Sequence, residues 1–263
     1  MFFYQNDATI MGLCASTIKN KLIMKRIFYI LGVAGVSLSI ASCGKILAKN
    51  IIASGTVVSK DCSIEKFDGI VTNGMCDVIY HQTNGEQRVT LYASDNVIDY
   101  VDVHVVNGDL VVELKDGYKV FGEERLELVV SSGVIKRATV NGGADMDLNG
   151  VSSEESMALN INGDGDIEMH HFSLPSLSAT VHGSGDFDLS GRCREANYEV
   201  TGSGDVDADK VKAEDVKVVI VGNGEVDCYA DKTLDVKVQG RGLVSYRGNP
   251  QLTGDLNKVR RDD

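Results

Sequence analysis

The chain has 263 residues, with 26 Lys and Arg against 38 Asp and Glu and a formal net charge of −12. Residues 1–43 carry four basic residues and one acid, so the 220 residues after them have a net charge of 22 minus 37, or −15. Such an acidic surface repels phosphate backbones, and no basic cluster interleaved with aromatic residues offsets it, which argues against nucleic-acid binding. The length after position 43 suffices for one or two domains with a hydrophobic core.

A secretory signal is predicted at residues 24–43. Met24, Lys25 and Arg26 precede an apolar run at 27–40, which is shorter than the roughly 20 residues of a membrane span. The four residues Ile40-Ala41-Ser42-Cys43 resemble the lipobox of bacterial lipoproteins, in which the cysteine is lipidated and becomes the mature N-terminus. We therefore expect export and lipidation of Cys43; a buried N-terminal helix with an incidental cysteine is the alternative.

Two short regions flank this signal. Residues 1–23 lie upstream of it and would be superfluous for export, so Met24 is interpreted as the true start. Residues 44–54 are predicted to be a tether between the lipid and the folded domain.

Residues 55–130 are predicted to form a β-rich N-terminal part of the domain, in which the repeat is blurred. Segments 70–80, 87–93, 101–106 and 110–114 are typical of strands. Asn107-Gly108-Asp109 is typical of a hairpin turn. No amphipathic helix is predicted after the signal.

A repeat of about 20 residues occupies residues 131–263. An acid follows each glycine turn, at Asp145, Asp166, Asp186, Asp205 and Glu225, and Leu243 stands at this place in a sixth copy. A period of this length is typical of a solenoid, in which each unit buries its apolar face against the next.

Apolar residues alternate with polar ones on both sides of each turn. In one copy Leu177, Ala179 and Val181 precede the turn, and Phe187 and Leu189 follow it. This period of two predicts two strands per repeat with one buried face, so the fold class is an all-β solenoid whose six rungs stack about 4.8 Å apart. The turn glycines are interpreted as corners between strands: Gly163, Gly165, Gly183, Gly185, Gly202, Gly204, Gly222 and Gly224.

Four cysteines follow the predicted lipidation site: Cys62, Cys76, Cys193 and Cys228. An exported protein could oxidise them, but four cysteines allow three pairings and the sequence selects none. No CxxC pair supports a structural zinc site. Because Cys228 shares an inward column with Leu189 and Ala208, it is predicted to be a buried free thiol.

Three segments and the series of GSGD-like turns resemble the head GIN domain family of putative auto-transporter adhesins. The segments are Phe67-Asp68-Gly69-Ile70, Ala93-Ser94-Asp95-Asn96 and Gly108-Asp109-Leu110-Val111-Val112, and the resemblance covers roughly residues 55–263. It implies a right-handed β-helix-like fold with the shape of the pectin lyases, export from a Bacteroidetes-type bacterium, an inferred adhesive role and no established catalytic residues. The turns depart from the pattern at Gly142-Gly143-Ala144 and at Leu243, which we expect in terminal rungs that cap the stack.

Two columns of acidic side chains are predicted on the outer surface. Because Phe187 and Leu189 point inward, Asp186 and Asp188 point outward, and the same alternation holds in the other rungs. We call the ten side chains of these columns the acidic strip. The first column is Asp145, Asp166, Asp186, Asp205 and Glu225, and the second is Asp147, Glu168, Asp188, Asp207 and Asp227.

The charges of the acidic strip repel one another, because unit charges about 4 Å apart repel by about 1 kcal/mol in water. This repulsion has to be offset. Hydrogen bonds from turn N–H groups and screening by salt are the ordinary relief. Alternatively, the strip binds divalent cations such as Ca²⁺, which prefers carboxylate oxygens, or docks a cationic partner. The 20-residue period does not match the nine-residue glycine-aspartate repeat that binds calcium.

Enzymatic activity is a weaker alternative. Enzymes on β-helices that cut acidic polysaccharides use clustered aspartates, so four acids of the strip could serve as acid and base: Asp186, Asp188, Asp205 and Asp207. However, the acids recur in every rung, whereas catalysis needs one distinct place, and the chain has no Trp to stack on sugar rings. His170 and His171 are adjacent and would face opposite sides of a strand, so they are not expected to share a metal. No catalytic residue is therefore assigned.

The sequence thus predicts an exported lipoprotein of the cell envelope, anchored in the outer membrane, whose solenoid presents a repetitive surface for adhesion or surface interaction. More than one acyl chain on Cys43 would attach the protein stably to the membrane. A glycan or a protein at the cell surface is the expected ligand, and the chain could form homo-oligomers. A cation-binding structural module and a carbohydrate-active enzyme are the alternatives.

Overall fold

The computed structural model describes residues 48–122 and 125–262, so the extension at 1–23, the signal and Cys43 lie outside the described residues. No α-helix occurs in the described part, which contains strands and two 3-10 helices, Ile98–Tyr100 and Leu256–Lys258. None of its helices is long and apolar enough to cross a membrane. Residues 48–263 form one compact unit with its own hydrophobic core.

Nine strands lie before the regular repeat: β1 (Lys49–Ile52), β2 (Val57–Cys62), β3 (Gly69–Gly74), β4 (Asp77–Gln82), β5 (Arg88–Ser94), β6 (Val101–Val106), β7 (Asp109–Leu114), β8 (Tyr118–Phe121) and β9 (Glu127–Ser132). The others are β10 (Arg137–Gly142), β11 (Met146–Asp147), β12 (Met157–Gly163), β13 (Ile167–Ser173), β14 (Ser176–Gly183), β15 (Phe187–Gly202), β16 (Val206–Gly222), β17 (Glu225–Gly240), β18 (Leu243–Gly248), β19 (Gln251–Gly254) and β20 (Val259–Arg261).

Two stacks of parallel strands form the body of the molecule. The strands before the turns, β3, β10, β12, β14 and the second halves of β15 to β17, form the first stack. The strands after the turns, β4, β11, β13, the first halves of β15 to β17 and β18, form the second. The glycines that end the first-stack strands are in register: Gly74, Gly142, Gly163, Gly183, Gly202, Gly222 and Gly240. This arrangement confirms the predicted β-solenoid with a spacing of about 20 residues.

The stack begins at Gly69, earlier than the repeat predicted. Gly74-Met75-Cys76-Asp77 joins β3 to β4 and stacks on Gly142-Gly143-Ala144-Asp145. Segment 70–80 is therefore two strands with a corner, and the expectation that Gly142-Gly143-Ala144 caps the stack is wrong. Sequence periodicity missed this rung because residues 83–136 separate it from the next.

The C-terminal end also extends beyond the last predicted copy. Strand β19 pairs with β17, and β20 pairs with β18, which contains Leu243. A further, incomplete rung formed by β19 and β20 therefore follows the rung of Leu243. The expectation that Leu243 lies in the terminal rung is wrong.

Antiparallel strands close the N-terminal end. A hairpin joins β6 to β7 through Asn107 and Gly108, with φ of 53° and 86°, as the Asn-Gly-Asp sequence predicted. Strand β7 pairs with β3 in the first stack. In the second stack, β9 pairs with β4 in parallel, and β5 and β2 follow as antiparallel neighbours.

The tether prediction is wrong for residues 49–52. These residues form β1, which pairs in parallel with β8 in a separate two-stranded sheet. Ile51 is buried against the core, and the side-chain amide of Asn96 donates to the carbonyl of Ile52 at 2.9 Å. Burial of one apolar side chain and this hydrogen bond hold the segment on the domain.

The core consists of the apolar columns that the alternation predicted. Leu177, Ala179 and Val181 before a turn are fully buried, and Phe187 and Leu189 after it are 1% exposed. The polar residues between them point outward. The acidic side chains are therefore carried on the outer face of a rigid apolar stack.

Candidate functional site

The glycine turns determine how closely the rungs approach. Gly183 has a φ of 143°, and a Cβ atom there would lie 2.1 Å from the carbonyl oxygen of Gly163. At Gly185, a Cβ atom would lie 2.0 Å from the carbonyl oxygen of Gly165. No side chain fits between successive turns at these positions, so the backbones stack directly and bring the following acids into a column.

Hydrogen bonds between rungs join the first acidic column. Oδ1 of Asp145 accepts from the backbone N–H of Asp166 at 3.2 Å, and Oδ1 of Asp166 accepts from that of Asp186 at 2.8 Å. The same contact joins Asp186 to Asp205, and Asp205 to Glu225, both at 2.7 Å. Each aspartate of the column thus binds the main chain of the next rung.

Asp77 begins this series on the first rung. Its Oδ1 accepts from the backbone N–H of Asp145 at 2.9 Å. Burial raises the pKa of the Asp77 carboxyl. The hydrogen bond from the N–H of Asp145 opposes this rise, and the charge of Asp145 adds to it. Sequence reasoning missed Asp77 because Met75 and Cys76 replace the usual turn residues. The signal that could have found it was an acid three residues after a glycine that ends a strand. We call Asp77, Asp145, Asp166, Asp186 and Asp205, with the N–H groups they bind, the carboxylate ladder.

The carboxylate ladder relieves part of the repulsion in the first column. A hydrogen bond to an ionised group contributes about 1.5–3 kcal/mol, which exceeds the repulsion of about 1 kcal/mol between exposed charges. The donors are the N–H groups of the next rung, one for each aspartate. Asp166, Asp186 and Asp205 remain exposed beside these bonds, so the column still presents negative charge to a partner.

The second column lacks this ladder and is more varied. In this column Asp207 and Asp227 are neighbours in register. Asp209, two residues after Asp207 and outside the column, forms an ion pair with Arg247 at 2.5 Å. Burial, and next the charge of Asp209, raises the pKa of Asp207. Oδ1 of Asp227 is buried and has no hydrogen-bond partner in the described part of the chain. Within the described residues, Asp207 and Asp227 do not hold the main chain of a neighbouring rung.

His170 lies close to two acids of the second column, a proximity that sequence reasoning missed. Its Nε2 lies 3.9 Å from Oε2 of Glu168 and 4.0 Å from Oδ2 of Asp188, and its Nδ1 lies 3.0 Å from Oγ of Ser190. His171 has a φ of 59°, so the chain turns there, and Phe172 becomes the next buried side chain. The expectation that the two histidines face opposite sides of a strand is therefore wrong: both lie outside the core.

The described residues contain no group of three or more His, Cys, Asp or Glu side chains placed to hold a metal ion. In the first column, one oxygen of each ladder aspartate is already bound to an N–H group. The four acids considered for catalysis lie in neighbouring rungs, and Asp186 and Asp205 make the same contact. The first column thus offers no single place with a distinct acid and base.

All four cysteines of the domain are free thiols. Cys76, Cys193 and Cys228 are buried, and burial is the largest cause that raises the pKa of each to about 12. Cys228 is 1% exposed, which confirms the predicted buried thiol. Cys62 is half-buried, and burial raises its pKa as well.

Solved structures share this fold. A putative adhesin from Bacteroides fragilis NCTC 9343 is 21% identical, with a TM-score of 0.72 over 80% of this chain and 95% of its own. A putative lipid binding protein from Parabacteroides distasonis ATCC 8503 is 21% identical, with a TM-score of 0.69 over 82% of this chain and 100% of its own. A putative adhesin from Parabacteroides merdae ATCC 43184 is 20% identical, with a TM-score of 0.60 over 81% and 97%. At these identities the likeness shows the fold alone.

No curated protein matches the chain significantly. The family described as "Putative auto-transporter adhesin, head GIN domain" matches residues 66–250. These residues include the first rung, the antiparallel N-terminal strands except β2, and every turn of the carboxylate ladder. Since the match covers more than half of the chain, as the resemblance of its turns implied, the protein belongs to the head GIN domain family.

Proposed function

We propose that this protein is an exported, lipid-anchored component of the cell envelope, held in the outer membrane, whose acidic strip is a non-enzymatic adhesive surface. The carboxylate ladder is the observation that carries this proposal. It holds carboxylates at the spacing of the rungs on a rigid stack, so a partner with repeated cationic or hydroxyl groups can engage several of them at once. Simultaneous engagement multiplies weak contacts into avidity.

The charge of the domain supports a partner that is attracted over a distance. Residues 44–263 have a net charge of −15, from 22 basic and 37 acidic residues. A strip of one sign steers an oppositely charged partner and raises its association rate, and this effect weakens with salt. We therefore infer a cell-surface protein with a basic patch as the preferred ligand, ahead of a neutral glycan.

Two observations support export and the absence of catalysis. The family and its solved structural relatives are named as adhesins or a lipid binding protein, and none of these names is that of an enzyme. The lipobox-like residues Ile40 to Cys43 support lipid anchoring. Replacement of Cys43 by Ser should abolish incorporation of labelled palmitate in cells and release the protein from the membrane fraction; retention of both would overturn the anchor.

The adhesive surface is tested with residues 48–263 on an array of glycans and extracellular-matrix proteins. The test variant neutralises three acids of the second column, Glu168→Gln, Asp188→Asn and Asp207→Asn. The control neutralises three exposed acids outside the strip, Glu65→Gln, Glu86→Gln and Asp116→Asn. Both variants change the net charge equally.

We expect binding to a basic protein that the strip variant loses and the control keeps. Equal binding by the two variants would show that net charge, and not the acidic strip, is responsible. Binding that requires calcium and disappears with a chelator would support the cation-dependent alternative instead.

A further inference from the structure

An apolar cavity of about 410 Å³ lies beside the first rung of the solenoid. One side is formed by Met75 and Cys76 of the first turn and by Leu114 at the end of β7. Strand β8 forms the other side with Val120 and Phe121. The volume lies within the roughly 300–1,000 Å³ that is typical of small-molecule sites.

A second recess of about 520 Å³ adjoins this cavity. The two share four apolar lining residues: Met75, Val120, Phe121 and Leu126. The second recess is also lined by Asp77 and Asp145 of the carboxylate ladder. The apolar cavity therefore adjoins a recess that two acids of the ladder also line.

Exposed apolar side chains mark the entrance. Met75 is 74% exposed and Phe121 is 52% exposed. Ile52, which pairs with Phe121 in the small sheet, is 76% exposed. A cluster of large exposed apolar residues indicates contact with an apolar ligand or surface, because single scattered residues are the norm elsewhere.

Two observations identify the chemistry of the ligand. Lys119, exposed on β8, is the only cationic residue among the described residues that line the cavity. Glu113, the acid in the same lining, accepts a hydrogen bond from the side-chain amide of Asn73 at 2.8 Å. The cavity therefore offers one cation for an anionic head, whereas the adjoining recess would repel an anion through Asp77 and Asp145.

The cavity is lined by a strand whose partner, β1, is close in sequence to the predicted lipidation site. Strand β1 starts at Lys49, six residues after Cys43, and pairs with the strand that lines the cavity. Six residues span at most about 20 Å. A lipid attached to Cys43, as the proposed function has it, could therefore be no farther than this length of chain from the start of β1.

We propose that this cavity binds a long-chain fatty acid, with its alkyl chain among Met75, Val120 and Leu126 and its carboxylate at Lys119. An alkyl chain matches the apolar lining, and the single cation sets its direction. The recess beside this cavity borders the strip at Asp145, but the proposed binding uses the apolar lining and does not depend on an adhesive role.

Displacement of a fluorescent fatty acid by palmitate, measured on residues 48–263, tests the site. Met75→Asp places a charge at the entrance and should weaken palmitate binding at least tenfold, because the burial of the alkyl chain is lost. Met75 is mostly exposed, so we expect this variant to fold. The matched control is Val221→Asp, which is 40% exposed and lies five rungs away, about 24 Å along the stack. Its affinity should equal that of the parent.

Lys119→Met tests the direction of the ligand. We expect palmitate to bind about fivefold more weakly to this variant, and hexadecanol, which lacks the carboxylate, to bind equally to variant and parent. Circular dichroism of each variant confirms the fold before binding is measured. Failure of the parent to bind palmitate, or equal losses in Met75→Asp and Val221→Asp, would overturn the site. Equal losses of palmitate and hexadecanol in Lys119→Met would overturn the assigned role of the lysine.

Discussion

At Gly183 a single residue meets two demands that exclude a side chain. Its φ of 143° disfavours other residues, and the carbonyl oxygen of Gly163 lies where a Cβ atom would be. By contrast, Gly143 occupies the second position of its turn, where a Cβ atom would have no neighbour within 4 Å. Glycine is therefore required at one turn position and replaceable at the next.

Gly183→Ala should lower the free energy of unfolding by about 3 kcal/mol or more, because the rungs must separate to admit the methyl group. Urea unfolding of residues 48–263 measures the loss. Gly143→Ala is the control and should change stability by less than about 0.5 kcal/mol. Similar values for the two variants would show that the close approach of the turns does not limit stability.

The carboxylate ladder predicts different outcomes for two substitutions at Asp186. Asp186→Asn keeps an oxygen for the N–H of Asp205 and removes one charge, so stability at low salt should be unchanged or higher by up to about 1 kcal/mol. Asp186→Ala removes the acceptor and should cost about 1 kcal/mol, because water partly replaces it at this exposed position. Denaturant unfolding at low and high salt distinguishes them, and equal losses would contradict a ladder that acts through its hydrogen bonds.

We expect the contribution of Asp207 to stability to fall as the pH rises, whereas that of a salt-bridged acid increases. Burial is the main cause that raises the pKa of Asp207 in the folded state, and the negative charge of Asp209 is the second. Such a group stabilises the fold below the unfolded pKa of about 3.9 and loses that contribution as pH rises through the folded value. Asp207→Asn resembles the protonated form, so it should raise the thermal midpoint at pH 7, and this gain should shrink toward pH 4. A gain that is independent of pH would contradict the assignment to this carboxyl.

At the scale of elements, Arg137 connects the N-terminal hairpin to the solenoid. Its Nε and Nη2 donate to Oδ1 of Asp109 at 3.0 and 2.9 Å, and Nη2 also donates to Oδ1 of Asp68 at 2.7 Å. Asp109 begins β7, whereas Arg137 begins β10. One side chain thus holds elements that are far apart in sequence.

Arg137→Met should increase amide hydrogen exchange in the β6–β7 hairpin and lower overall stability by about 1 kcal/mol, since these partly exposed ion pairs contribute modestly. Exchange in β16 should not change. Arg194→Met, which removes only a pair with the adjacent Glu195, is the control. Uniform acceleration of exchange across the domain would indicate global destabilisation instead of local opening.

The rungs could be predicted from sequence because both of their determinants are local. Alternation placed Phe187 inside and Asp186 outside, and glycine spacing located the turns. The first rung and the antiparallel strands could not be predicted in the same way. Residues 83–136 have no repeat, and β3 pairs in parallel with β10 across them. Nothing in the pattern of residues indicates which distant strands pair.

The candidate site was predictable only in part for a similar reason. The position of each acid in a column follows from alternation alone. The hydrogen bond that the backbone N–H of Asp186 donates to the carboxylate of Asp166 depends on the offset between rungs, which no single rung encodes. The turn at His171 is also hidden, because a non-glycine residue with a φ of 59° has no sequence signature.

At the scale of the whole molecule, the continuous core determines which thiols react. Cys76, Cys193 and Cys228 are buried, and burial is the main reason why the pKa of each is raised to about 12. We expect iodoacetamide at pH 8 to modify only Cys62 in folded residues 48–263, and all four cysteines after denaturation. Mass spectrometry counts the adducts. Rapid modification of Cys228 in the folded protein would show that the solenoid opens near its C-terminal end.

Because equivalent turns stack on one another, the length of the stack is set by the number of rungs. Gly163 and Gly183 occupy equivalent positions and repeat the same backbone contact, so the residues between them constitute one complete unit. Adding or removing such a unit changes the height of the stack by about 4.8 Å and leaves every remaining interface of the same kind. The reach of the protein from its N-terminal strands to its far end is therefore adjustable in whole steps without redesign of the core.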